Sequence, residues 1–144
     1  MQTFEEFPVW QWAVPKQFNI GAACTDKHLH TPIAQTVAMV VEDDALGTSQ
    51  MTFAELASRT DQFAQLLRNS GVAAGDRVLI RLPNSLDYPI AFLGTMKRGA
   101  ISVPTSTLLT AEEVAYLAKD STATVLVTDK IGRASCRERV SSPV

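Results

Sequence analysis

The residues best suited to chemistry in this 144-residue chain are one cysteine and two histidines near its start. Cys24, His28 and His30 form a C-x3-H-x-H arrangement of residue types that bind zinc. On a helix, Cys24 and His28 share a face, whereas His30 points elsewhere. A structural zinc site takes four ligands, and no partner pair is evident downstream. We therefore interpret the three residues as a solvated helix end, with metal binding as the alternative.

Two further groups of residues are weaker candidates. Glu42, Asp43 and Asp44 are adjacent acids, but EF-hand spacing does not follow them, so we expect a solvated turn. Ser85 follows a predicted strand and could be a nucleophile there, but a helix N-cap is the commoner role. The sequence has no G-x-S-x-G, H-E-x-x-H, C-x-x-C or Walker-type motif. We therefore assign no catalytic, cofactor-binding or metal-ligating residue.

Composition excludes several classes of function. Hydrophobic content of 46% with 19% charged residues is ordinary for a soluble globular protein, and a net charge of −2 gives no field that attracts nucleic acid. The start, MQTFEEF, lacks the positive charge of a secretory signal, and the longest apolar run, Val37–Val41, is too short for a transmembrane segment. Cys24 and Cys136 are too few for a disulfide framework, so we expect a cytoplasmic protein.

The elements that would position a site alternate between strand and helix over residues 75–129. Because a parallel pair cannot be closed by a tight turn, this order predicts a parallel sheet with helical crossovers. The fold class is therefore α/β, with a partial doubly wound sheet of βαβαβ order. Pro83-Asn84-Ser85 replaces the glycine-rich turn of a dinucleotide-binding Rossmann domain, which disfavours that function. The predicted elements are strands Arg77–Leu82, Ile101–Val103 and Thr124–Thr128, a helix ending at Gly99, and a helix beginning with a capping box at Thr110–Glu113.

Earlier elements follow the same kind of signals. Asn19 is predicted to cap a helix through about Leu29, and Thr36–Val41 is predicted to be a strand followed by a loop at Gly47–Gln50. Thr52 and Glu55 form a second capping box. The helix after it carries an apolar stripe and ends at Asn69-Ser70-Gly71; the stripe consists of Leu56, Ala57, Phe63, Ala64, Leu66 and Leu67.

The predicted helix that ends at Gly99 contains a proline and a glycine, which are both unusual in helices. Pro89 fits the first turn if Ser85 or Asp87 is the N-cap. Gly94 lies in the middle of the helix, where glycine costs up to about 1 kcal/mol relative to alanine. We predict that a close approach of this helix to the sheet compensates for that cost.

Residues 1–18 contain both tryptophans and several prolines. Proline density argues against a helix, so we predict an extended arm that lays Trp10 and Trp12 onto the domain surface. A base-stacking platform is the alternative. It needs flanking basic residues, and only Lys16 is near.

Three motifs share their order and spacing with a known family. They are SGVAAGDRV at a helix end, the following LPNS, and FLGTMKRGA before a short strand that ends in VP. With the stretches around them, they resemble the start of the AMP-forming acyl-CoA synthetases of the adenylate-forming superfamily. FPVWQWAVPKQFNI resembles the leader of the medium-chain type, whereas TLLT and AYL are similar to benzoate-type CoA ligases. Ser106 departs from the Asn that many relatives carry after the VP strand.

The resemblance implies an enzyme that activates a carboxylic acid with ATP and Mg²⁺ to an acyl-adenylate and transfers the acyl group to coenzyme A. The family's phosphate-binding loop, adenine and ribose contacts and C-terminal lysine lie downstream of the region present here. We therefore expect a truncated synthetase that is inactive alone and binds none of ATP, Mg²⁺ or coenzyme A. A small stand-alone α/β binding module without catalysis is the alternative. Neither the acid nor the oligomeric state follows from the sequence.

The last segment, Lys130–Val144, departs from the alternating pattern and reads KIGRASCRERVSSPV. Three arginines in seven residues are typical of a basic interaction tail. However, Ile131–Val140 can be encoded by a common sequencing-library adapter read in one frame, and we favour that origin. The predicted organisation is an arm over residues 1–18, a partial N-terminal AMP-dependent synthetase/ligase domain over 19–129, and a non-native tail over 130–144.

The codons of the tail test its origin. We expect the nucleotides across Ile131–Val140 to be those of the adapter, with AG before them completing the codon of Lys130. Sequencing the underlying DNA is the measurement. Any other codon choice across these ten residues contradicts an adapter origin and makes the tail genuine protein.

Overall fold

The computed structural model describes residues 10–13, 15–43 and 47–129. The tail from residue 130 lies outside the described residues, as does Asp44. The elements are α1 (Ile20–Cys24), two 3-10 turns (Asp26–His28 and Pro32–Gln35), β1 (Val37–Asp43), β2 (Gly47–Thr52), α2 (Phe53–Asn69), β3 (Arg77–Arg81), α3 (Asp87–Lys97), β4 (Ile101–Pro104), α4 (Ala111–Asp120) and β5 (Val125–Thr128).

The main sheet has the predicted parallel arrangement. β3 lies in the centre, with β4 on one side and β5 on the other, and both pairings are parallel. Side chains alternate between the two faces of a strand, so Val78 and Ile80 point to one face and Leu79 to the other. All three are fully buried, which confirms that β3 is a central strand of an α/β sheet.

Two apolar clusters hold the helices in place; the first packs α2 and α3 on the main sheet, and the second packs them against the β1–β2 hairpin. In the first, Val78 and Ile80 pack with Leu67 of α2 and Ala91 of α3. In the second, Met51 of β2 packs with helix residues Leu56 and Ile90. Burying a large apolar side chain stabilises a fold by about 1.5–3 kcal/mol, so these clusters account for the attachment of α2 and α3.

Both predicted capping boxes are present. The Thr52 hydroxyl accepts from the Glu55 amide at 3.2 Å, and the Glu55 carboxylate accepts from the Thr52 amide at 2.8 Å. Thr110 and Glu113 make the same pair of bonds at the start of α4. α2 ends as predicted, with Gly71 in the left-handed region at φ 87°.

Gly94 does have a close neighbour, but it is a helix and not the sheet. A Cβ at Gly94 would lie 2.9 Å from the Thr60 carbonyl oxygen and 2.9 Å from a ring carbon of Phe63, both in α2. The prediction of an approach to the sheet was therefore wrong. α3 instead uses Gly94 to cross α2 at short range, which explains glycine in the middle of this helix.

The predicted loop at Gly47–Gln50 is instead part of β2, the second strand of a β-hairpin. β1 and β2 pair antiparallel, with Val40 opposite Gln50 and Val41 opposite Ser49. Polar, exposed side chains run along most of β2 and hid the strand, because its stability comes from backbone pairing rather than an apolar face. Glu42 and Asp43 belong to β1, so the predicted acidic turn was wrong for these two residues.

Two predicted helix boundaries were also wrong. α1 ends at Cys24, not near Leu29, and the Thr25 hydroxyl donates to the Gly21 carbonyl at its end. Neither Ser85 nor Asp87 is the N-cap of α3: Leu86 occupies that position without a side-chain cap, although Pro89 does fall in the first turn.

Two predictions about apolar packing were also wrong. Leu66 of α2 is exposed, while Thr60 is buried on the inner face of the helix. Trp10 and Trp12 are 75% and 81% exposed and contact each other edge to face, so they do not lie on the domain surface.

Substitution of Gly94 tests the helix crossing. We expect Gly94→Ala to lower the free energy of unfolding by about 1–3 kcal/mol, because overpacking outweighs the gain in helix propensity. Urea denaturation is the measurement. Ser58→Ala, on the exposed side of α2, is the control and should change stability by less than about 0.5 kcal/mol. Equal stability of Gly94→Ala and the parent chain would contradict the tight crossing.

The capping boxes predict a pH dependence of stability. Hydrogen bonds from the backbone and side chain of Thr52 lower the pKa of Glu55 below its ordinary 4.5, and those of Thr110 lower the pKa of Glu113 in the same way. A lowered native pKa means that the stabilisation is complete above the unfolded-state value and is lost as the pH falls through the native value.

We therefore expect Glu55→Gln with Glu113→Gln to flatten the acid side of the stability profile. Glutamine retains the capping geometry but does not titrate. Thermal unfolding between pH 7 and pH 3 is the measurement, with Glu112→Gln as a control that leaves both boxes intact. If the stability of the double variant falls at low pH as steeply as that of the parent chain, Glu55 and Glu113 are not the cause of the pH dependence.

Candidate functional site

Cys24, His28 and His30, for which metal binding was the alternative interpretation, lie on three successive segments near the start of the described chain. Cys24 ends α1 and is exposed, His28 lies in the following 3-10 turn, and His30 is exposed beyond it. The ring of His28 packs against Phe53, with ring centres 4.7 Å apart. Within the described ranges, no group of three or more histidine, cysteine or acidic side chains could hold a metal ion. Of the three residues, Cys24 alone lies at the end of α1, while His28 and His30 lie beyond it in a 3-10 turn and the turn that follows.

Ser85 lies in the turn between β3 and α3, where its carbonyl accepts from the Tyr88 amide at 3.2 Å. Neither histidine among the described residues is near it in the chain, since both precede β1. A nucleophilic serine needs an adjacent base, and the contacts of His28 are with Phe53 instead. The structure gives Ser85 no catalytic partner in the described part of the chain.

Ligands of open parallel sheets bind beyond the carboxyl ends of the strands, and here that edge carries Arg81. Its Nη2 atom donates to the carbonyl oxygens of Thr107 at 2.6 Å and Leu109 at 3.2 Å. Arg81 Nε and the Thr105 hydroxyl are buried without a hydrogen-bond partner. Arg81 therefore fixes the loop after β4 through its Nη2 atom.

A second arginine of β3 performs the same task at the other end of α4. Arg77 donates to the carbonyl oxygens of Ser121 at 3.0 Å and Thr122 at 2.9 Å. These carbonyls follow the last turn of α4, where a cation is also favoured by the helix dipole. Residues 77, 79 and 81 share one face of the strand, so both arginines reach the segment that passes over Leu79.

Sequence reasoning missed a charged cluster on the opposite side of the fold. The Lys97 side chain is 5% exposed, and its ammonium group contacts Asp26 and also Asp61 at 2.7 Å. The cluster lines a polar cavity of about 410 Å³ that Arg68 and Arg98 also border. Both carboxylates are already paired with the lysine, so the cluster ties the 3-10 turn, α2 and α3 together. No local motif could have revealed pairs 36 and 71 residues apart in sequence.

The described chain thus forms an α/β scaffold: a parallel sheet, helices packed on one face, and charged side chains that hold segments together. Comparison with known proteins places this scaffold in a family. Residues 31–143 match the profile of the AMP-binding enzyme family, and the chain belongs to that family.

In the described residues, no helix is long and apolar enough to cross a membrane.

Individual relatives agree with the family match. The chain is 31% identical over 93 residues to acetyl-coenzyme A synthetase of Burkholderia mallei, covering 65% of this chain and 14% of the relative. The crystal structure of Brucella canis acyl-CoA synthetase superposes with a TM-score of 0.70 at 25% identity, covering 77% of this chain and 20% of that one.

A benzoate CoA ligase from Burkholderia xenovorans LB400 superposes with a TM-score of 0.66 at 28% identity, covering 78% of this chain and 22% of the ligase. The chain therefore spans about a seventh to a fifth of the length of the relatives it matches. It corresponds to the N-terminal part of an adenylate-forming acyl-CoA synthetase, and the predicted fold class is confirmed.

Proposed function

We propose that this chain is the N-terminal scaffold of an enzyme that uses ATP to convert a carboxylic acid into an acyl-adenylate and then into its coenzyme A thioester. The match of residues 31–143 to AMP-binding enzymes is the observation that carries the proposal. The complete enzyme would use ATP, Mg²⁺ and coenzyme A. We propose a cytoplasmic location for it, as the sequence predicts.

The chain alone is proposed to be inactive. Adenylation requires phosphate charge to be neutralised by positioned donors, cations and metal ions. Lys97 is paired with two aspartates, while Arg77 and Arg81 donate to backbone carbonyls. Within residues 10–13, 15–43 and 47–129, no acidic cluster could hold a metal ion. These side chains support the fold, and the reacting groups would come from other parts of a synthetase.

Two subfamilies are candidates for the complete enzyme, the medium-chain type and the benzoate type. The leader sequence supports the first, while the TLLT and AYL stretches support the second. A benzoate CoA ligase is among the superposable structures, whereas Burkholderia mallei acetyl-coenzyme A synthetase is a curated relative. The stand-alone binding module is the less favoured alternative, since residues 31–143 match the AMP-binding enzyme family.

An isotope-exchange assay tests the inactivity of the isolated chain. We expect no ATP–pyrophosphate exchange above background with acetate, octanoate or benzoate, because Lys97, Arg77 and Arg81 already serve as partners within the fold. Burkholderia xenovorans benzoate CoA ligase, assayed with benzoate, is the positive control. Acid-dependent exchange by the 144-residue chain would overturn the proposal that it is only a scaffold.

A further inference from the structure

Residues 19–30 are attached to the rest of the fold with little apolar burial, and we call them the strap. The strap contains α1 and the 3-10 turn Asp26–His28. Its buried residues are Gly21 and Thr25, neither of which has a large apolar side chain, while Ile20 is 51% exposed. Segments with few buried apolar contacts open locally at a lower free energy than the core of a protein.

Polar contacts hold the strap on the end of α3. Asn19 Nδ2 donates to the carbonyl oxygens of Met96 at 2.9 Å and Lys97 at 3.2 Å. Both carbonyls belong to the last turn of α3, where water can take the place of the donor. The release of Asn19 therefore leaves neither carbonyl without a hydrogen-bond partner.

The chain is anchored again directly after the strap. Ala34 is buried, and the Phe53 amide donates to the Thr36 carbonyl at 3.2 Å. The ring of His28 packs on Phe53 near this anchor, and that contact is lost when the strap leaves. The strap therefore has one fixed end, which confines an opening to residues 19–30 and the chain before them.

Lys97 has two acidic partners, one in the strap and one in α2. Its ammonium group contacts Asp26 of the strap, and it also donates to Asp61 at 2.7 Å and to the Ala57 carbonyl at 3.3 Å, both in α2. Removing one partner of a buried ion pair is strongly destabilising when the other charge is left unpaired. Here Asp61 stays beside the lysine when Asp26 leaves, so the opening of the strap avoids that penalty.

We propose that the strap is a releasable element, which detaches from α3 as a unit while the sheet, α2 and α3 stay folded. Lys97, Asp26 and Asp61 form its latch. Asp26 holds the strap closed, and Asp61 keeps the lysine paired when the strap is open. Opening removes Asp26 from the wall of the polar cavity of about 410 Å³ and admits solvent to Lys97.

Amide hydrogen exchange of the 144-residue chain tests the independent opening. The Ala23 amide, which donates to the Asn19 carbonyl at 2.9 Å, reports on the strap, and the Leu79 amide of β3 reports on the core. A five-residue helix does not persist once it is detached. We expect the protection factor of Ala23 to be at least about a hundredfold below that of Leu79. Equal protection of the two amides would overturn the proposal.

Two charge-neutralising variants distinguish a latch from two ordinary ion pairs. The measurement is the ratio of Leu79 protection to Ala23 protection. Asp26→Asn should raise this ratio about fivefold, because the strap loses its ion pair while Asp61 keeps Lys97 paired. Asp61→Asn should lower the ratio about fivefold, because opening then leaves Lys97 without an acidic partner.

Asp120→Asn is the matched control, since Asp120 ends α4 at an exposed position and its substitution removes the same charge away from the latch. It should change the ratio by less than about twofold. A ratio that rises in Asp61→Asn as it does in Asp26→Asn would show two independent ion pairs and overturn the latch.

Lys97→Met keeps the test decisive if Asp61→Asn does not fold. Methionine fills a similar volume without a charge, so neither aspartate has an ion pair to lose. In this background, Asp26→Asn should change the ratio of Leu79 to Ala23 protection by less than about twofold. An undiminished fivefold effect would show that Asp26 acts on the strap without Lys97 and would overturn the proposal.

Discussion

The rest of the structure depends on the backbone pairing of β3 with two parallel neighbours. Each parallel partner must be reached by a crossover, so the pairing of β3 with β4 requires α3, and the pairing with β5 requires the longer path through α4. The three middle residues of β3 are buried on both faces. Its terminal arginines remain near the surface and hold the segment around α4 by its carbonyls.

Among the described residues, the buried charged groups form ion pairs and hydrogen bonds, although Arg81 Nε and the Thr105 hydroxyl lack a hydrogen-bond partner. Arg77 and Arg81 donate to backbone carbonyl oxygens, and Lys97 is paired with Asp26 and Asp61. This allocation of hydrogen bonds supports the proposed scaffold role, and the relatives that the chain matches are several times longer.

The sequence predicted features whose signals are local and failed on features that depend on distant partners. The capping boxes at Thr52 and Thr110 are visible because both hydrogen-bonding residues lie within one turn. β2 was missed because its own residues are mostly polar, and its pairing with β1 is not marked by any pattern within β2. The neighbour of Gly94 was misassigned because helix and sheet are equally plausible partners for a glycine.

Buried polar residues explain the remaining errors within helices. Thr60 and Thr95 look like surface residues in an apolar pattern, yet both are fully buried. Each donates its hydroxyl to the carbonyl four residues earlier, Thr60 at 2.7 Å and Thr95 at 2.7 Å, which removes the cost of burial. Their small side chains allow α2 and α3 to lie close together, and a pattern based on polarity alone overlooks them.

The attachment of α1 has a consequence for synthesis of the chain. α1 lies against α3, where a Cβ at Gly21 would be 2.5 Å from the Leu93 carbonyl oxygen and the Asn19 side chain donates to the Met96 carbonyl at 2.9 Å. These partners follow about seventy residues later in the chain. On a ribosome, α1 therefore emerges long before its binding site exists and must wait, unprotected by α3, until that helix has been made.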